Sequence, residues 1–184
     1  MKKLNRSNAL FLSLSLAIVT LLSLGCGGEK SGETVTAPTI DFVMNYDDAM
    51  AAAKAKNQPV LIDFYTDWCR WCKVLDTVTY IDPLVIELSK SVVFAKVNAE
   101  VDTVAAKANS VRGYPSILLF DSEGKEIDRI VGYLSGPGFV ETVNNYLNGI
   151  GTIDYYKAMS DSAPTPEVNY LDRKSTRLNS SHRL

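Results

Sequence analysis

Two cysteines three positions apart are the residues of this sequence best suited to chemistry. Cys69 and Cys72 enclose Arg70 and Trp71 in a C-x-x-C motif that follows an apolar run and opens a helical pattern. This placement is typical of a redox pair. The unpaired N–H groups and the dipole at a helix N-terminus stabilise a thiolate, so Cys69 is the expected nucleophile. Cys72 lies one turn further along the same face, where it can close a disulfide with Cys69 or resolve a mixed disulfide.

Two other interpretations of the pair remain as alternatives. Half of a zinc site would need two more ligands. The remaining thiol, Cys26, and the one histidine, His182, both lie in terminal segments that are not expected to belong to the fold. An inert structural disulfide is the second alternative, although so small a loop stabilises a fold little. The motif therefore favours redox chemistry with no metal and no cofactor beyond the Cys69–Cys72 pair.

An acidic residue interrupts the apolar run that precedes the motif. Asp63 lies within residues 60–65, where the other five residues are apolar or aromatic. A carboxyl group buried in such a strand has a raised pKa and can act as a base near neutral pH. Lys96, on the next predicted strand, is a candidate partner for it. The alternative is that Asp63 lies at the strand end and reaches solvent.

The N-terminal segment has the pattern of a bacterial export signal. Three basic residues within the first six positions precede an uncharged run of 16 residues, 9–24. A membrane-spanning helix needs about 20 apolar residues, so the run is short for that purpose. Residues 1–25 resemble a lipoprotein signal peptide, in which Cys26 becomes the lipidated first residue, and residues 26–40 predict a flexible tether. An uncleaved anchor helix is the alternative.

The C-terminal segment has a different origin. Residues 172–182 resemble one reading frame of a widely used sequencing adapter at all eleven positions, so residues 172–184 are expected to be an artefact. Residues 150–171 are expected to start a truncated C-terminal extension.

Charge and composition exclude several classes of function. Residues 26–171 carry 12 Lys+Arg, 20 Asp+Glu and no His, which gives a net charge of about −8. This acidic net charge excludes the class of nucleic-acid binders that rely on a strongly basic surface. Without histidine, Ser-His-Asp catalysis, Cys-His proteolysis and His-based metal sites are excluded.

Strands and helices alternate along the part of the chain that positions these residues. Helices are predicted over residues 46–57, 69–78, 82–90, 102–109 and 135–148, and strands over residues 60–65, 92–97, 116–120 and 126–132. This order predicts an α/β fold with a central mixed sheet flanked by helices, and with an extra N-terminal helix before the first strand.

Several segments together resemble the thioredoxin family. Residues 61–69 are similar to the strand that leads into the family's active site, residues 94–98 to its central strand, and residues 111–116 to the loop that holds its cis-proline. Gly124 and Gly132 fall where the family's hairpin needs them. The resemblance covers about residues 46–147 and implies a thioredoxin fold for residues 41–149.

Within this family, residues 67–69 and 79–85 resemble the C-terminal periplasmic domain of DsbD-type thiol:disulfide interchange proteins and small envelope lipoproteins. The dipeptide between the cysteines differs from the Gly-Pro of thioredoxins and from the Pro-His of strong oxidants. Because that dipeptide helps to set the reduction potential, the potential does not follow from the resemblance.

The resemblance also implies roles for the residues around the cysteines. Asp63 would lie behind the second cysteine and take its proton. Pro115 would be in cis and face the cysteines, and Tyr114 would offer backbone groups to an extended substrate; a trans proline that begins a strand is the alternative. Trp68 and Trp71 would form an apolar rim for substrate, with ordinary packing as the alternative for Trp71.

These features lead to one functional hypothesis. The chain is expected to be a thiol–disulfide oxidoreductase on the extracytoplasmic face of the bacterial envelope, lipid-anchored and more a reductase than an oxidase. Its partners would be protein thiols and disulfides and a membrane electron donor. A dithiol oxidase or isomerase is the enzyme alternative, because Arg70 would stabilise a Cys69 thiolate while Asp67 opposes it. A non-catalytic binding module presenting Tyr114 and Trp71 is the other alternative.

Overall fold

The structure, a computed structural model, describes residues 38–162, 165–167 and 171–172. The predicted signal peptide, Cys26 and residues 173–184 of the adapter-like segment lie outside these residues. In the described part of the chain, no helix is long and apolar enough to cross a membrane.

A four-stranded mixed sheet forms the centre of the fold. Its strands, in chain order, are β1 (Val60–Tyr65), β2 (Val93–Asn98), β3 (Ser116–Phe120) and β4 (Glu126–Val131). Their order across the sheet is β2-β1-β3-β4, with β1 and β2 parallel and the other two pairs antiparallel. The internal position of β1 accounts for its nearly continuous apolar run, since both of its faces are covered.

Among the described residues, five helices lie where the sequence pattern predicts them, and a further helix lies within residues 150–171, the expected C-terminal extension. They are α1 (Tyr46–Lys56), α2 (Arg70–Val74), α3 (Pro83–Leu88), α4 (Thr103–Ala108), α5 (Gly136–Leu147) and α6 (Ile153–Ser162). The helix predicted over residues 69–78 differs in one respect, because α2 passes into a π-helical turn over Leu75–Thr79. Asp82 caps α3 through a hydrogen bond from Leu84 N–H at 2.8 Å, ahead of Pro83, as the Asp-Pro pair predicts.

The core consists of one apolar cluster on each face of the sheet. Successive side chains of a strand point to opposite faces. Leu61 accordingly belongs to the cluster that contains Leu75 and Tyr80, while Ile62 belongs to the cluster under α1 and α4. Asp63, two positions after Leu61, therefore points toward the face on which Tyr80 lies. This alternation places a carboxyl group in an otherwise apolar layer, on the strand that leads into the cysteine motif.

Candidate active site

Cys69 and Cys72 form a disulfide at the junction between β1 and α2. Their Cα atoms are 5.3 Å apart, and both side chains are buried. Cys69 is the N-cap residue of α2, and its Sγ accepts a hydrogen bond from Cys72 N–H at 3.1 Å. The same N–H group would stabilise a thiolate on Cys69 after reduction. The first cysteine thus occupies the helix start at which the sequence pattern places it.

Two pairs of aromatic residues flank the disulfide. Trp68, 67% exposed, packs edge-on against Tyr114 with ring centroids 5.7 Å apart. Its Nε1–H donates a hydrogen bond to Glu100 at 3.0 Å. Trp71, 55% exposed, stacks on Tyr133 at 5.5 Å. The indoles next to each cysteine are therefore held on the surface, where a partner can reach them.

Tyr133 and Glu100 were not identified from the sequence. Neither belongs to a motif, and each lies far along the chain from the tryptophan that it contacts. The sole sequence signal is the position of each residue just after a strand, at the edge of the sheet where the motif begins.

The Tyr114–Pro115 peptide bond is cis, as the resemblance implies. Pro115 is buried, and its carbonyl oxygen accepts a hydrogen bond from Gly132 N–H at 2.9 Å. Tyr114 is half-buried and contacts Trp68. The fold therefore brings the proline loop against the residue that precedes the first cysteine.

Asp63 is 1% exposed, so the prediction of a buried carboxyl group agrees with the structure and the solvent-exposed alternative does not. Tyr80 donates a hydrogen bond from its hydroxyl group to Asp63 Oδ2 at 3.0 Å. Burial raises the pKa of Asp63 to about 7, against the lowering effects of Lys96 and of the Tyr80 hydrogen bond. A carboxyl group with this pKa exchanges protons in the neutral range, as a general base must.

Lys96 binds Asp76 instead of the carboxyl group that the sequence suggested. Lys96 lies opposite Asp63 across the parallel β1–β2 pair, but its ammonium group forms an ion pair with Asp76. The same group lies 4.9 Å from the ring centroid of Tyr65. Asp76 remains partly exposed, so this pair avoids the full desolvation cost of an ion pair in the core. Lys96 therefore acts on Asp63 at longer range, as a charge that lowers its pKa.

Exposed charges border the motif. Arg70, between the cysteines, is exposed, and so is Asp67, which accepts a hydrogen bond from Asn98 at 3.3 Å. Within the residues that the structure describes, no group of three or more His, Cys, Asp or Glu side chains is arranged to hold a metal ion.

The thioredoxin family model matches residues 39–145, which is more than half of the chain. The chain belongs to the thioredoxin family. The match includes β1, the cysteine motif, the cis-proline loop and the β3–β4 hairpin. The predicted thioredoxin fold is therefore confirmed.

Curated relatives carry the name thiol:disulfide interchange protein DsbD. The protein of Pseudoalteromonas atlantica is 33% identical over 119 residues, which cover 60% of this chain and 20% of that protein. The protein of Yersinia enterocolitica is 39% identical over 101 residues, or 52% of this chain and 18% of that protein. The chain thus matches about one fifth of the length of these relatives.

Solved structures show the same fold. A DsbH oxidoreductase superposes with a TM-score of 0.53 at 19% identity, covering 66% of this chain and 95% of that structure. A thioredoxin from Thermus thermophilus superposes with a TM-score of 0.51 at 23% identity, covering 56% of this chain and 85% of that structure. These two comparisons show the fold alone. The family match, the DsbD relatives and the Cys69–Cys72 disulfide together show a thiol–disulfide oxidoreductase domain.

Proposed function

We propose that this chain reduces protein disulfides in the bacterial envelope, where a lipid on Cys26 holds it at the membrane. The observation that carries the proposal is the Cys69–Cys72 disulfide at the start of α2. The strand that leads into this helix, β1, holds the buried Asp63. A disulfide that served stability alone would need neither the helix start nor a buried carboxyl group with a pKa of about 7 on the preceding strand.

The reaction begins with the reduced pair. The Cys69 thiolate attacks one sulfur of a substrate disulfide, the substrate S–S bond breaks, and one substrate sulfur leaves as a thiolate. The Asp63 carboxylate takes the proton of the Cys72 thiol. The Cys72 thiolate then attacks Cys69 Sγ, and the second substrate sulfur leaves with its electron pair. Two electrons pass from the protein dithiol to the substrate, and the Cys69–Cys72 disulfide remains.

The enzyme must then be reduced again. A membrane electron donor or another thiol protein supplies the two electrons by the reverse exchange, with attack on the Cys69–Cys72 disulfide. No organic cofactor or metal enters either half of the cycle, because the cysteine pair itself stores the electrons.

Substrate binding is assigned to the surface around the disulfide. The Trp68–Tyr114 and Trp71–Tyr133 pairs offer apolar contact on both sides of the motif. Next to Pro115, the backbone of Tyr114 can pair with an extended polypeptide. These features favour unfolded or loop segments of proteins over small thiols as substrates.

The proposed location is inferred from the signal-like pattern of residues 1–25. The envelope is a compartment in which disulfides form and must be corrected, so an exported thiol reductase has substrates there. The polar residues between Cys26 and the first described residues would act as a tether that lets the domain reach them.

Dithiol oxidation is the second candidate. Two observations favour it: Cys69 Sγ accepts a backbone N–H bond, and Arg70 adds a positive charge beside it. Both stabilise the thiolate, which makes a disulfide more oxidising.

The reduction potential of the Cys69/Cys72 pair distinguishes the two directions. The full chain is equilibrated with thioredoxin and with glutathione couples, and its oxidised fraction is measured by thiol alkylation. A potential near −270 mV is expected for a reductase, and one near −120 mV would reverse the direction. A pair that does not exchange with either couple would overturn the enzyme proposal and favour a binding module.

A further inference from the structure

The two oxygens of the Asp63 carboxyl group have different surroundings. Oδ2 accepts the Tyr80 hydrogen bond at 3.0 Å, whereas Oδ1 is buried and has no hydrogen-bond partner among the described residues. Leaving a buried polar atom without a partner costs stability. The cysteine motif alone does not account for this asymmetry.

The surrounding fold holds the Tyr80 side chain in place. Its ring packs edge-on against Phe42, Phe94 and Phe139, with centroids 5.2, 6.3 and 6.0 Å away. Its N–H donates to the carbonyl oxygen of Leu75 at 2.9 Å, which closes the π-helical turn after α2. The aromatic packing and the backbone therefore set the direction of the hydroxyl group independently of Asp63.

The other groups near Asp63 leave Oδ1 free. Lys96, on β2, is bound to Asp76 of the π-helical turn, and the two exert opposing charge effects on Asp63. On the other side, β3 places the apolar Ile117 opposite Asp63. In the described part of the chain, Tyr80 is thus the sole hydrogen-bond partner of this carboxyl group.

We propose that Tyr80 is a positioning residue for Asp63, whose hydroxyl group holds Oδ2 and leaves Oδ1 as the oxygen that accepts the Cys72 proton. The inference rests on the proposed function, in which Asp63 serves as the base for Cys72. The proton moves from Cys72 Sγ to Asp63 Oδ1, and the new thiolate attacks Cys69 Sγ and releases the substrate thiolate.

The hydrogen bond also sets the charge state of the base. A donor to Oδ2 stabilises the carboxylate and opposes the effect of burial on the pKa of Asp63. Burial and the Asp63 charge raise the pKa of Tyr80 well above its usual range, so the phenol keeps its proton and remains a donor.

The test uses Tyr80→Phe in the full chain, with Tyr46→Phe as the matched control. Tyr46 is a part-buried tyrosine whose hydroxyl group donates to Asn109, and it packs with the other core cluster. The reduced proteins are mixed with an aromatic disulfide whose thiolate is coloured. The first release reports attack by Cys69, and the second reports resolution by Cys72. In parallel, the Asp63 carboxyl carbon of the oxidised protein is titrated by NMR.

In Tyr80→Phe, the pKa of Asp63 should rise because the carboxylate loses a hydrogen-bond donor. The acidic limb of the pH–rate profile for the second release should therefore move up by about one pH unit. The rate at pH 7 should fall roughly fivefold and recover at higher pH. The first release should not change. The NMR midpoint of Asp63 should move in the same direction, and Tyr46→Phe should alter none of these quantities. In an Asp63→Asn background, Tyr80→Phe should shift nothing further.

Other outcomes would overturn the inference. An unchanged NMR midpoint would show that the hydroxyl group does not act on the carboxyl group. An equal loss of rate at every pH would reduce Tyr80 to a packing residue. If the NMR midpoint moves while the parent shows no acidic limb or no second release, the placement of Tyr80 stands and the proposed role of Asp63, or the enzyme function itself, fails.

Discussion

At the scale of single residues, the site combines a buried disulfide with a buried acid on the strand that precedes it. Asp63 lies on β1, the strand that leads into the cysteine motif, and its burial is the main cause of its raised pKa. The charge of Lys96 and the Tyr80 hydrogen bond lower this pKa, so that Asp63 titrates near neutral pH. Under the proposed function, the base for Cys72 is therefore also a side chain that lowers the stability of the fold at alkaline pH.

Asp63→Asn should therefore stabilise the oxidised protein at alkaline pH. The folded-state pKa of about 7 lies above the unfolded value near 3.9, so the native state binds its proton more tightly. That contribution to stability is complete below pH 4 and is lost as pH rises through 7. At pH 8.5 the variant should gain up to about 4 kcal/mol over the parent, and near pH 4 the gain should vanish.

Melting curves of the oxidised proteins at both pH values measure this effect, with Asp41→Asn as the control for removal of an exposed carboxylate. Resolution by Cys72 should be slower in Asp63→Asn. A variant that is less stable than the parent at pH 8.5 and fully active would rule out a buried base.

Cys72→Ser should trap mixed disulfides through Cys69, because attack remains while resolution is lost. Envelope extracts run on non-reducing gels should then show high-mass bands that disappear with reductant. Cys69→Ser is the matched control and should show none. Traps in Cys69→Ser together with their absence in Cys72→Ser would mean that the roles of the two cysteines are reversed.

At the scale of elements, helix ends and one close helix contact organise the side of the sheet that carries Tyr80. Asp82 caps α3, and the N-terminus of α5 approaches so closely that a Cβ atom at Gly136 would overlap the Asp82 carboxyl group. Thr79, at the end of the π-helical turn, donates a hydrogen bond to the carbonyl oxygen of Leu134 at 2.6 Å, just before α5. The turn that presents Tyr80 is thus fastened to the start of α5.

Gly136→Ala should destabilise the protein, because the new methyl group collides with the Asp82 cap. The free energy of unfolding should fall by about 1–3 kcal/mol, the usual effect of adding a methyl group to a well-packed contact. Gly138→Ala is the matched control, since its Cβ would meet only Ser135 Oγ at 3.4 Å, an ordinary contact. Urea denaturation of both variants measures the difference, and equal midpoints would contradict the close approach.

At the scale of the whole molecule, an acidic redox domain follows a segment with the pattern of a lipoprotein signal. The chain matches about one fifth of the length of its longer relatives. Lipidation at Cys26 would keep the domain within the reach of a membrane donor.

Cys26→Ala should abolish this attachment, because lipidation requires the thiol at that position. Cell fractionation should find the variant unprocessed or outside the membrane fraction, while Cys69→Ser, which also lacks one thiol, should fractionate like the parent. Normal processing and membrane attachment of Cys26→Ala would show that residues 9–24 are themselves the anchor.

The sequence alone determined the features that depend on neighbours along the chain. Apolar runs marked the strands, Asp82-Pro83 marked the start of α3, and the C-x-x-C spacing placed a disulfide at the start of α2. These features can be predicted from the sequence because helix caps, strand alternation and a three-residue spacing depend on residues only a few positions apart.

The tertiary structure alone decided which side chains meet around Asp63 and the tryptophans. Lys96 forms its ion pair with Asp76 and not with Asp63. Tyr80 donates a hydrogen bond to the Asp63 carboxyl group, and Tyr133 stacks on Trp71. The π-helical turn adds a residue to the helical period, which changes the direction of every side chain after it, and the sheet decides which strands adjoin. Because such contacts join distant parts of the chain, no local pattern encodes them.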